Sequence, residues 1–284
     1  MTTLERYGFG GERRAAAGPV PDGETFGRVV SAHGDYFHLV CDVAESEILA
    51  RKKSAAFRDP SSVLPTTGDF VRFTYNSSGE SRITSVVSRF SAFQRVDPSS
   101  SGRRTQTIAV NFDSLFFLMS MNENFSTARL ERVLELADAS GCRDRLTVLL
   151  TKADLAAVRQ RDEQIALVAP FGVAVHAISV KTGQGLEALA CHSAPGRTLA
   201  FIGSSGVGKS SLVNALAGEA WLATQEVQSW SGKGRHTTTS RELVMLPSGL
   251  MVIDTPGMRE LGLMGRDGAC RFHSSGTHRY RART

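Results

Sequence analysis

The sequence has few of the features that mark secreted or membrane proteins. Its four cysteines stand far apart, without the paired spacing of a disulfide framework, which favours a reducing compartment: Cys41, Cys142, Cys191 and Cys270. Even the apolar stretch SLFFLMSM at 114–121 is shorter than the roughly 20 residues that cross a bilayer. The N-terminus carries Glu5 and Glu12 and lacks the apolar core of a secretory signal. We therefore expect a cytoplasmic protein that makes no contact with membranes.

Acidic residues are fewer than basic ones. The chain has 33 Lys and Arg residues against 28 Asp and Glu residues, which gives a formal net charge of +5. An ordinary solvated surface can carry such an excess, but here the basic residues cluster at 51–58, at Arg103 and Arg104, and at 279–283. Clustered positive charge favours a polyanionic partner such as RNA.

The length of 284 residues is typical of about two domains. Composition divides the chain into five parts. Residues 1–24 hold too little apolar content to pack, so we expect a flexible leader. Residues 25–90 alternate short apolar runs with turn residues, and Val71 and Phe73 share one face of the DFVRFTY run. This pattern predicts a small β-barrel. Residues 91–107 are polar and rich in Ser and Arg, which predicts a linker.

Residues 108–264 change to alternating strands and helices, and residues 265–284 form the last part. Apolar runs predict buried strands at 114–119, 146–150 and 198–202. Helical spacing predicts one helix from the positions of Leu130, Val133, Leu134 and Ala137. This alternation predicts an α/β fold with a mainly parallel sheet covered on both faces. The segment ELVMLPSGLMVID is instead predicted to form a hairpin.

A phosphate-binding loop follows the strand predicted at 198–202. The sequence matches the G-x-x-x-x-G-K-S pattern and runs into a predicted helix, which is the context that the motif requires. Glycines let the backbone amides converge on the phosphates, Lys209 neutralises the outer phosphates, and the Ser210 hydroxyl binds Mg²⁺. The residues expected to contact the nucleotide are Gly203, Ser204, Ser205, Gly206, Val207, Gly208, Lys209, Ser210 and Ser211.

Two segments further along the chain fit the same site. Asp254 begins the DTPG motif at the end of an apolar run, where its carboxylate would hold Mg²⁺ through water and Gly257 would approach the terminal phosphate. The segment GKGRHTTTS at 232–240 carries hydroxyls that could close on the metal when the third phosphate is present. Thr238 is the expected metal-sensing hydroxyl. Each segment alone also fits an ordinary turn or a polar surface loop.

A candidate base site follows the strand predicted at 146–150, where ligands bind in open α/β sheets. It is the TKAD motif, formed by Thr151, Lys152, Ala153 and Asp154. An aspartate accepts hydrogen bonds from N1–H and the amino group of guanine, whereas adenine presents an acceptor at N1. The Lys152 stem can cover the ring face, and Thr151 can tie this loop to the phosphate loop. A second element is similar to the SAK element that guanine-nucleotide switches use to present an amide to the guanine O6: Ser179, Val180 and Lys181.

The order of these motifs is unusual, because in most guanine-nucleotide switches the phosphate loop comes first. Circular permutation explains the order, since a sheet tolerates a new cut when the old termini join at the surface. The motifs TTGDFV, NFDSLFFLMS and GRHTTTS accompany the others in sequence. From about residue 25 to 264 the chain resembles the ribosome small subunit-dependent GTPase A family, the circularly permuted ribosome biogenesis GTPases.

The resemblance implies an N-terminal OB-fold that contacts ribosomal RNA and a GTPase centre stimulated by the small ribosomal subunit. It also implies a role in late maturation of that subunit. Many switch GTPases carry a water-orienting glutamine just past DTPG, but this chain has Met258 there. The resemblance points to His236 as the residue that helps to position water. An ordinary loop histidine is the alternative.

The C-terminal part departs from the family pattern. Related proteins continue into a helical domain with a zinc site of three cysteines and one histidine. This chain has Cys270, followed by Ser275 and Thr277 at the next ligand spacings. Hydroxyls are poor zinc ligands, so 265–284 is expected to be an altered or truncated remnant that does not hold zinc.

The sequence leaves two alternatives open. One is an OB-fold RNA-binding module that hydrolyses GTP weakly or not at all, and the other is a P-loop ATPase or kinase in which TKAD is a coincidence. The main expectation is a monomeric, Mg²⁺-dependent GTPase that binds GTP and GDP. Its expected partners are the small ribosomal subunit and the rRNA of that subunit.

Overall fold

The computed structural model describes residues 1–59, 61–96, 105–122, 124–218 and 241–254. In these ranges the chain forms a closed five-stranded barrel, a two-stranded ribbon and a six-stranded sheet that packs against helices. The expected fold class, an α/β domain preceded by a β-barrel, is confirmed. None of the helices in the described ranges combines the length and the apolar character that crossing a bilayer requires.

The barrel lies within residues 25–90. Its strands are β1 (Thr25–His33), β2 (Tyr36–Cys41), β3 (Ile48–Lys52), β4 (Phe70–Thr74) and β5 (Ser81–Val86). They close in the order β1-β2-β3-β5-β4, with β3 and β5 parallel and the other pairs antiparallel. Apolar side chains from all five strands fill the interior, among them Val29, Leu39, Ala50, Val71, Phe73 and Ile83, each 0% exposed.

The N-terminal 24 residues are folded, so the expectation of a flexible leader is wrong. They form two short helices, α1 (Thr3–Arg6) and α2 (Gly11–Ala16). Leu4 and Phe9 are each 1% exposed and pack against Phe26 and Phe70 of the barrel. The rings of Phe9 and Phe70 stack with their centroids 4.5 Å apart. Two apolar anchors therefore hold a segment whose Gly and Ala content suggested disorder.

The predicted linker at 91–107 also contains regular structure. Strand β6 (Ala92–Val96) pairs antiparallel with β7 (Thr105–Val110), while 97–104 lie outside the described residues. Phe93 is 0% exposed and belongs to the core of the α/β domain. The ribbon was not predicted because its first strand has a polar composition. Phe93 is the aromatic residue that anchors this strand in the core.

The α/β domain is built on one sheet. Its strands are β8 (Ser114–Ser120), β9 (Leu146–Thr151), β10 (Ala174–Ala177), β11 (Thr198–Gly203), β12 (Leu243–Met245) and β13 (Met251–Asp254). The order is β10-β9-β8-β11-β13-β12, and every pair is parallel except the hairpin β12–β13, which was predicted. The main helices are α3 (Thr127–Ala139), α4 (Val158–Val168) and α5 (Lys209–Ala217).

Apolar side chains cover both faces of the sheet. Phe117 of β8 packs in a cluster with Leu130 of α3, while its neighbour Phe116 packs in a second cluster with Leu212 of α5. Adjacent residues of a strand point to opposite faces, so β8 is buried from both sides. Because β9, β11 and β13 are parallel, their carboxyl ends lie along one edge of the sheet. The three predicted nucleotide motifs begin at this edge.

Candidate functional site

The phosphate-loop motif joins β11 to α5, as its pattern predicts. Gly206 and Gly208 have φ angles of 76° and 99°, which a side chain would strain. A Cβ built on Gly203 would lie 2.8 Å from the Leu118 carbonyl oxygen, so the strand end tolerates only glycine beside β8. These glycines let the loop curl over the carboxyl ends of the strands. The N-terminus of α5 therefore points toward the centre of the loop.

Lys209 lies across its own loop. Its Nζ donates to the carbonyl oxygens of Gly203, at 2.7 Å, and Ser204, at 3.3 Å. Ser205, Ser210 and Ser211 are exposed around the same loop and the first turn of α5. The ammonium group thus lies where the loop curls, which is the position from which it would neutralise a bound phosphate.

The TKAD motif turns sharply after β9. Lys152 adopts a left-handed conformation with φ 61°, and Ala153–Leu155 form one 3₁₀ turn. The Ala153 amide donates to the Ile178 carbonyl oxygen at 3.1 Å, which fixes this turn to the segment after β10. The Thr151 hydroxyl is buried and donates to the Val207 carbonyl oxygen at 2.6 Å. This is the link between the base loop and the phosphate loop that was expected of Thr151.

Asp154 is held by the second base element. The Ser179 hydroxyl donates to Oδ1 of Asp154 at 2.7 Å, and Ser179 itself is 0% exposed. This hydrogen bond, assisted by the charges of Lys181 and Lys152, holds the pKa of the Asp154 carboxyl below its ordinary value of 3.8. A side chain at Gly185 would meet the Ala177 carbonyl oxygen, so the turn that follows Ser179 closes tightly against β10. At neutral pH the site therefore presents a fixed carboxylate.

One cleft of about 400 Å³ runs between the base loops and the phosphate loop. This volume is within the range of small-molecule sites, roughly 300–1,000 Å³. Its walls come from all three predicted elements, and they are Thr151, Lys152, Asp154, Leu155, Val180, Lys181, Val207, Gly208 and Ser211. Leu155 was not predicted from the sequence as a site residue. Its side chain is 65% exposed at the rim of the cleft. The only signal in the sequence was an apolar residue directly after TKAD.

The residues predicted to bind Mg²⁺ lie only partly within the described ranges. Asp254 ends β13 and pairs in register with Phe201 of β11, two residues before the phosphate loop begins. Ser210 lies on the first turn of α5. A hydroxyl and a carboxylate are oxygen donors of the kind that Mg²⁺ takes, usually beside several waters. In the described ranges no three His, Cys, Asp or Glu side chains converge on a point.

Several predicted site residues lie outside the described residues. They are His236 and Thr238 of the GRHTTTS segment, Gly257 of DTPG, and Cys270. Their roles stay predictions.

A parallel sheet with a phosphate loop after β11 and a TKAD loop earlier in the chain defines a class, the circularly permuted P-loop GTPase fold. The model of a family described as RsgA GTPase matches residues 86–264. The chain belongs to this family, as the resemblance indicated.

Curated relatives carry the name of the same family, as two examples show. The chain is 37% identical over 246 residues to "Small ribosomal subunit biogenesis GTPase RsgA 2" of Lactiplantibacillus plantarum, covering 87% of this chain and 69% of the relative. It is 39% identical over 269 residues to the protein of the same name from Listeria monocytogenes, covering 92% and 72%.

In fold, the chain is similar to YjeQ from Thermotoga maritima. The TM-score is 0.59 at 24% identity, over 83% of this chain and 75% of that one. It is also similar to YloQ, described as a circularly permuted GTPase, with a TM-score of 0.53 at 24% identity, over 83% and 72%.

Proposed function

We propose that this chain binds GTP with Mg²⁺, hydrolyses it to GDP and phosphate, and serves as a late assembly factor of the small ribosomal subunit. The observation that carries the proposal is the single cleft in which the Asp154 loop and the phosphate loop meet, tied by the hydrogen bond from Thr151 to Val207. A nucleotide that spans this cleft has its base near a carboxylate and its phosphates near Lys209.

The base preference follows from the charge and fixed position of Asp154. Its ionised carboxylate accepts two hydrogen bonds from guanine, and the buried Ser179 hydroxyl keeps it in place. Adenine offers an acceptor at N1 in the same position, which the carboxylate repels. The Lys152 stem and the exposed Leu155 side chain lie at the cleft to cover the faces of the ring.

Hydrolysis needs charge neutralisation and a positioned water. Lys209 would leave the carbonyl groups of its own loop for the outer phosphates, and Ser210 and Asp254 would hold Mg²⁺, which supplies neutralisation of the phosphate oxygens. His236 is the proposed water-positioning residue, Thr238 is the proposed metal-sensing hydroxyl, and Gly257 is a proposed contact of the terminal phosphate. Met258 replaces the usual glutamine, so intrinsic turnover should be slow and depend on the ribosomal partner.

The names of the relatives support the small ribosomal subunit as that partner. The barrel offers a surface suited to RNA: the Tyr36 ring is 41% exposed, and the Arg51 guanidinium lies 4.9 Å from its centroid. Aromatic rings and guanidinium planes are the groups on which unpaired bases stack. We propose that the chain acts in the cytoplasm, as a monomer, and that it contacts rRNA through this barrel. Zinc has no part in the proposal.

Phosphate release from GTP and from ATP, each with and without purified small ribosomal subunits, tests the proposal. We expect slow release from GTP alone, faster release when subunits are added, and little release from ATP. Equal release from both nucleotides would identify an ATPase or a nonspecific NTPase. Tight GTP binding without any release would identify the non-hydrolysing RNA-binding alternative.

The substitution Asp154→Asn tests base recognition directly. An asparagine amide can donate to the C2 oxygen of xanthine but cannot accept from both guanine donors. We therefore expect GTP to bind about 10- to 100-fold more weakly and xanthosine triphosphate to bind more tightly. Asp162→Asn, at an exposed position of α4, removes the same charge and is the matched control. Unchanged GTP affinity in Asp154→Asn would refute the base site.

A further inference from the structure

The TTGD motif at 66–69 forms a tightly built turn before β4, and no role has yet been given to it. The Asp69 amide donates to the Thr66 carbonyl oxygen at 3.1 Å, and the Thr66 amide donates to Oδ2 of Asp69 at 2.9 Å. Asp69 is 0% exposed, and Arg89 donates to both of its carboxylate oxygens, at 2.8 and 2.7 Å. Gly68 has a φ angle of 95°. The turn is rigid, because both ends of its backbone bond to each other and its carboxylate is held in a fork.

The turn contacts the chain at the point where the described residues resume after 219–240. The Thr67 side chain is nearly buried, and its hydroxyl donates to the Arg241 carbonyl oxygen at 2.9 Å. The next residue, Glu242, forms an antiparallel bridge with Ser31 of β1. Arg241 in turn donates from its guanidinium to the Thr107 carbonyl oxygen. The barrel and the ribbon thus fix the chain directly after GRHTTTS.

The same turn also contacts the end of β13. A Cβ built on Gly68 would lie 3.1 Å from Cδ1 of Ile253 and 2.9 Å from the Val110 carbonyl oxygen. Ile253 is the residue before Asp254, and it belongs to an apolar cluster with Val30 and Val40 of the barrel. One turn of the barrel therefore contacts the chain directly after GRHTTTS, at Arg241, and directly before Asp254, at Ile253.

We propose that Thr67 is a positioning residue for GTP hydrolysis, which acts through the backbone of Arg241 and couples the barrel to the phosphate site. This inference rests on the proposed function. A partner that binds the barrel would then act on the hydrolytic step through the TTGD turn, without contacting the nucleotide. The role of Thr67 is to hold the chain that follows GRHTTTS in one register against the barrel.

A purely structural role would predict something different. A hydrogen bond that only joins two parts of the protein contributes to stability and leaves turnover per folded molecule unchanged. A positioning role predicts a lower kcat with an unchanged KM for GTP, because Thr67 lies outside the nucleotide cleft.

The test compares three variants for subunit-stimulated GTP turnover, KM and thermal unfolding. Thr67→Val keeps the shape but removes the donor, and we expect kcat to fall about three- to tenfold with KM unchanged. Thr67→Ser keeps the hydroxyl and should retain most of the turnover. Thr84→Val removes a similar bond inside the barrel, from the Thr84 hydroxyl to the Arg72 carbonyl oxygen at 3.1 Å, and should leave kcat unchanged.

Three results would overturn the inference. They are equal kcat in Thr67→Val and the unaltered chain, an equal loss in Thr84→Val, or a loss that Thr67→Ser does not restore. Absence of GTP turnover in the unaltered chain is a separate result, because it overturns the proposed function and this inference with it. The two failures are therefore distinguishable in one experiment.

Discussion

The parallel strands of the six-stranded sheet end at its carboxyl edge and begin at its amino edge. The charged side chains at these two edges differ in their exposure and in their partners. At the carboxyl edge, Asp154 lines the cleft and accepts a hydrogen bond from Ser179, while Lys209 donates to a carbonyl oxygen of its own phosphate loop. At the amino edge, Arg28 of the barrel is 0% exposed and donates to the Thr198 hydroxyl at 3.0 Å. The Asp113 carboxylate beside it accepts from the Thr198 amide at 2.8 Å and pairs with Arg13.

Arg28 shows what the amino edge requires. Burial lowers the pKa of its guanidinium to about 9, although nearby Asp113 and Asp69 oppose the shift, so the group is still charged at neutral pH. It also donates to the carbonyl oxygens of Tyr7, Gly68 and Asn111 and to Sδ of Met251. A buried cation satisfied by backbone acceptors from separate segments fixes their arrangement. The amino edge therefore holds the barrel in place, whereas the carboxyl edge is where we propose that a nucleotide binds and leaves.

Removing the Arg28 guanidinium from the amino edge should have the largest effect on stability. Arg28→Met leaves several buried acceptors without a donor, and each such group costs about 1–3 kcal/mol. We expect the free energy of unfolding to fall by at least about 3 kcal/mol, measured from urea unfolding curves. Arg82→Met is the control, because the Arg82 side chain is 49% exposed and lies 3.6 Å from Glu80, a pair that contributes at most about 1 kcal/mol. Equal losses in the two variants would contradict the account of the amino edge.

Gly68→Ala should have the next largest effect. The φ angle of 95° and the contacts with Val110 and Ile253 both oppose a side chain. We expect a loss of about 2–3 kcal/mol in the free energy of unfolding. Gly141→Ala isolates the backbone part, since Gly141 has a φ of 63° with open space around its Cβ position, and should lose about 1 kcal/mol. If Gly141→Ala lost as much stability, close packing at the TTGD turn would not be the cause.

Ser179→Ala should have the smallest effect, and it sharpens the comparison at the carboxyl edge. Without the hydroxyl, Asp154 is less well placed, and GTP should bind about three- to tenfold more weakly at neutral pH. Ser193→Ala removes a bond of similar length to the Leu189 carbonyl oxygen, at 2.8 Å, and should leave GTP affinity unchanged. Equal losses would show that Ser179 acts through general stability.

The same variant should shift the pH dependence of binding. Because the pKa of Asp154 is depressed, its carboxylate should support GTP binding fully above its ordinary pKa of 3.8, with loss as the pH falls through the lowered value. In Ser179→Ala the pKa should return toward 3.8, so the loss should begin at a higher pH. A titration of GTP affinity toward acid compares the two chains, and superimposed curves would contradict this account.

The carboxyl edge could largely be predicted from the sequence. Strong local patterns predicted the strands at 114–120, 146–151 and 198–203 to within about one residue of their ends, and the last two run directly into the TKAD motif and the phosphate loop. Such motifs also predict the local structure around them, because the glycine-rich phosphate loop requires a strand before it and a helix after it. The contact of Thr151 with the phosphate loop could be anticipated because both motifs were expected to bind one nucleotide.

The amino edge could not be predicted in the same way. The partners of Arg28 come from positions 7, 68, 111, 198 and 251, and nothing local to residue 28 indicates them. The same holds for Leu4 and Phe9, whose burial depends on Phe26 and Phe70 rather than on their own glycine-rich surroundings. Long-range contacts of single side chains leave no periodicity in a sequence, so tertiary structure alone reveals them.

The central claim is that this cleft selects guanine nucleotides. The most direct test is equilibrium binding of GTP and of ATP to the unaltered chain, each with Mg²⁺ in the same buffer. Because adenine lacks both donors and meets the Asp154 carboxylate with an acceptor, GTP should bind at least about a hundredfold more tightly. Equal affinities, or tighter binding of ATP, would contradict the account.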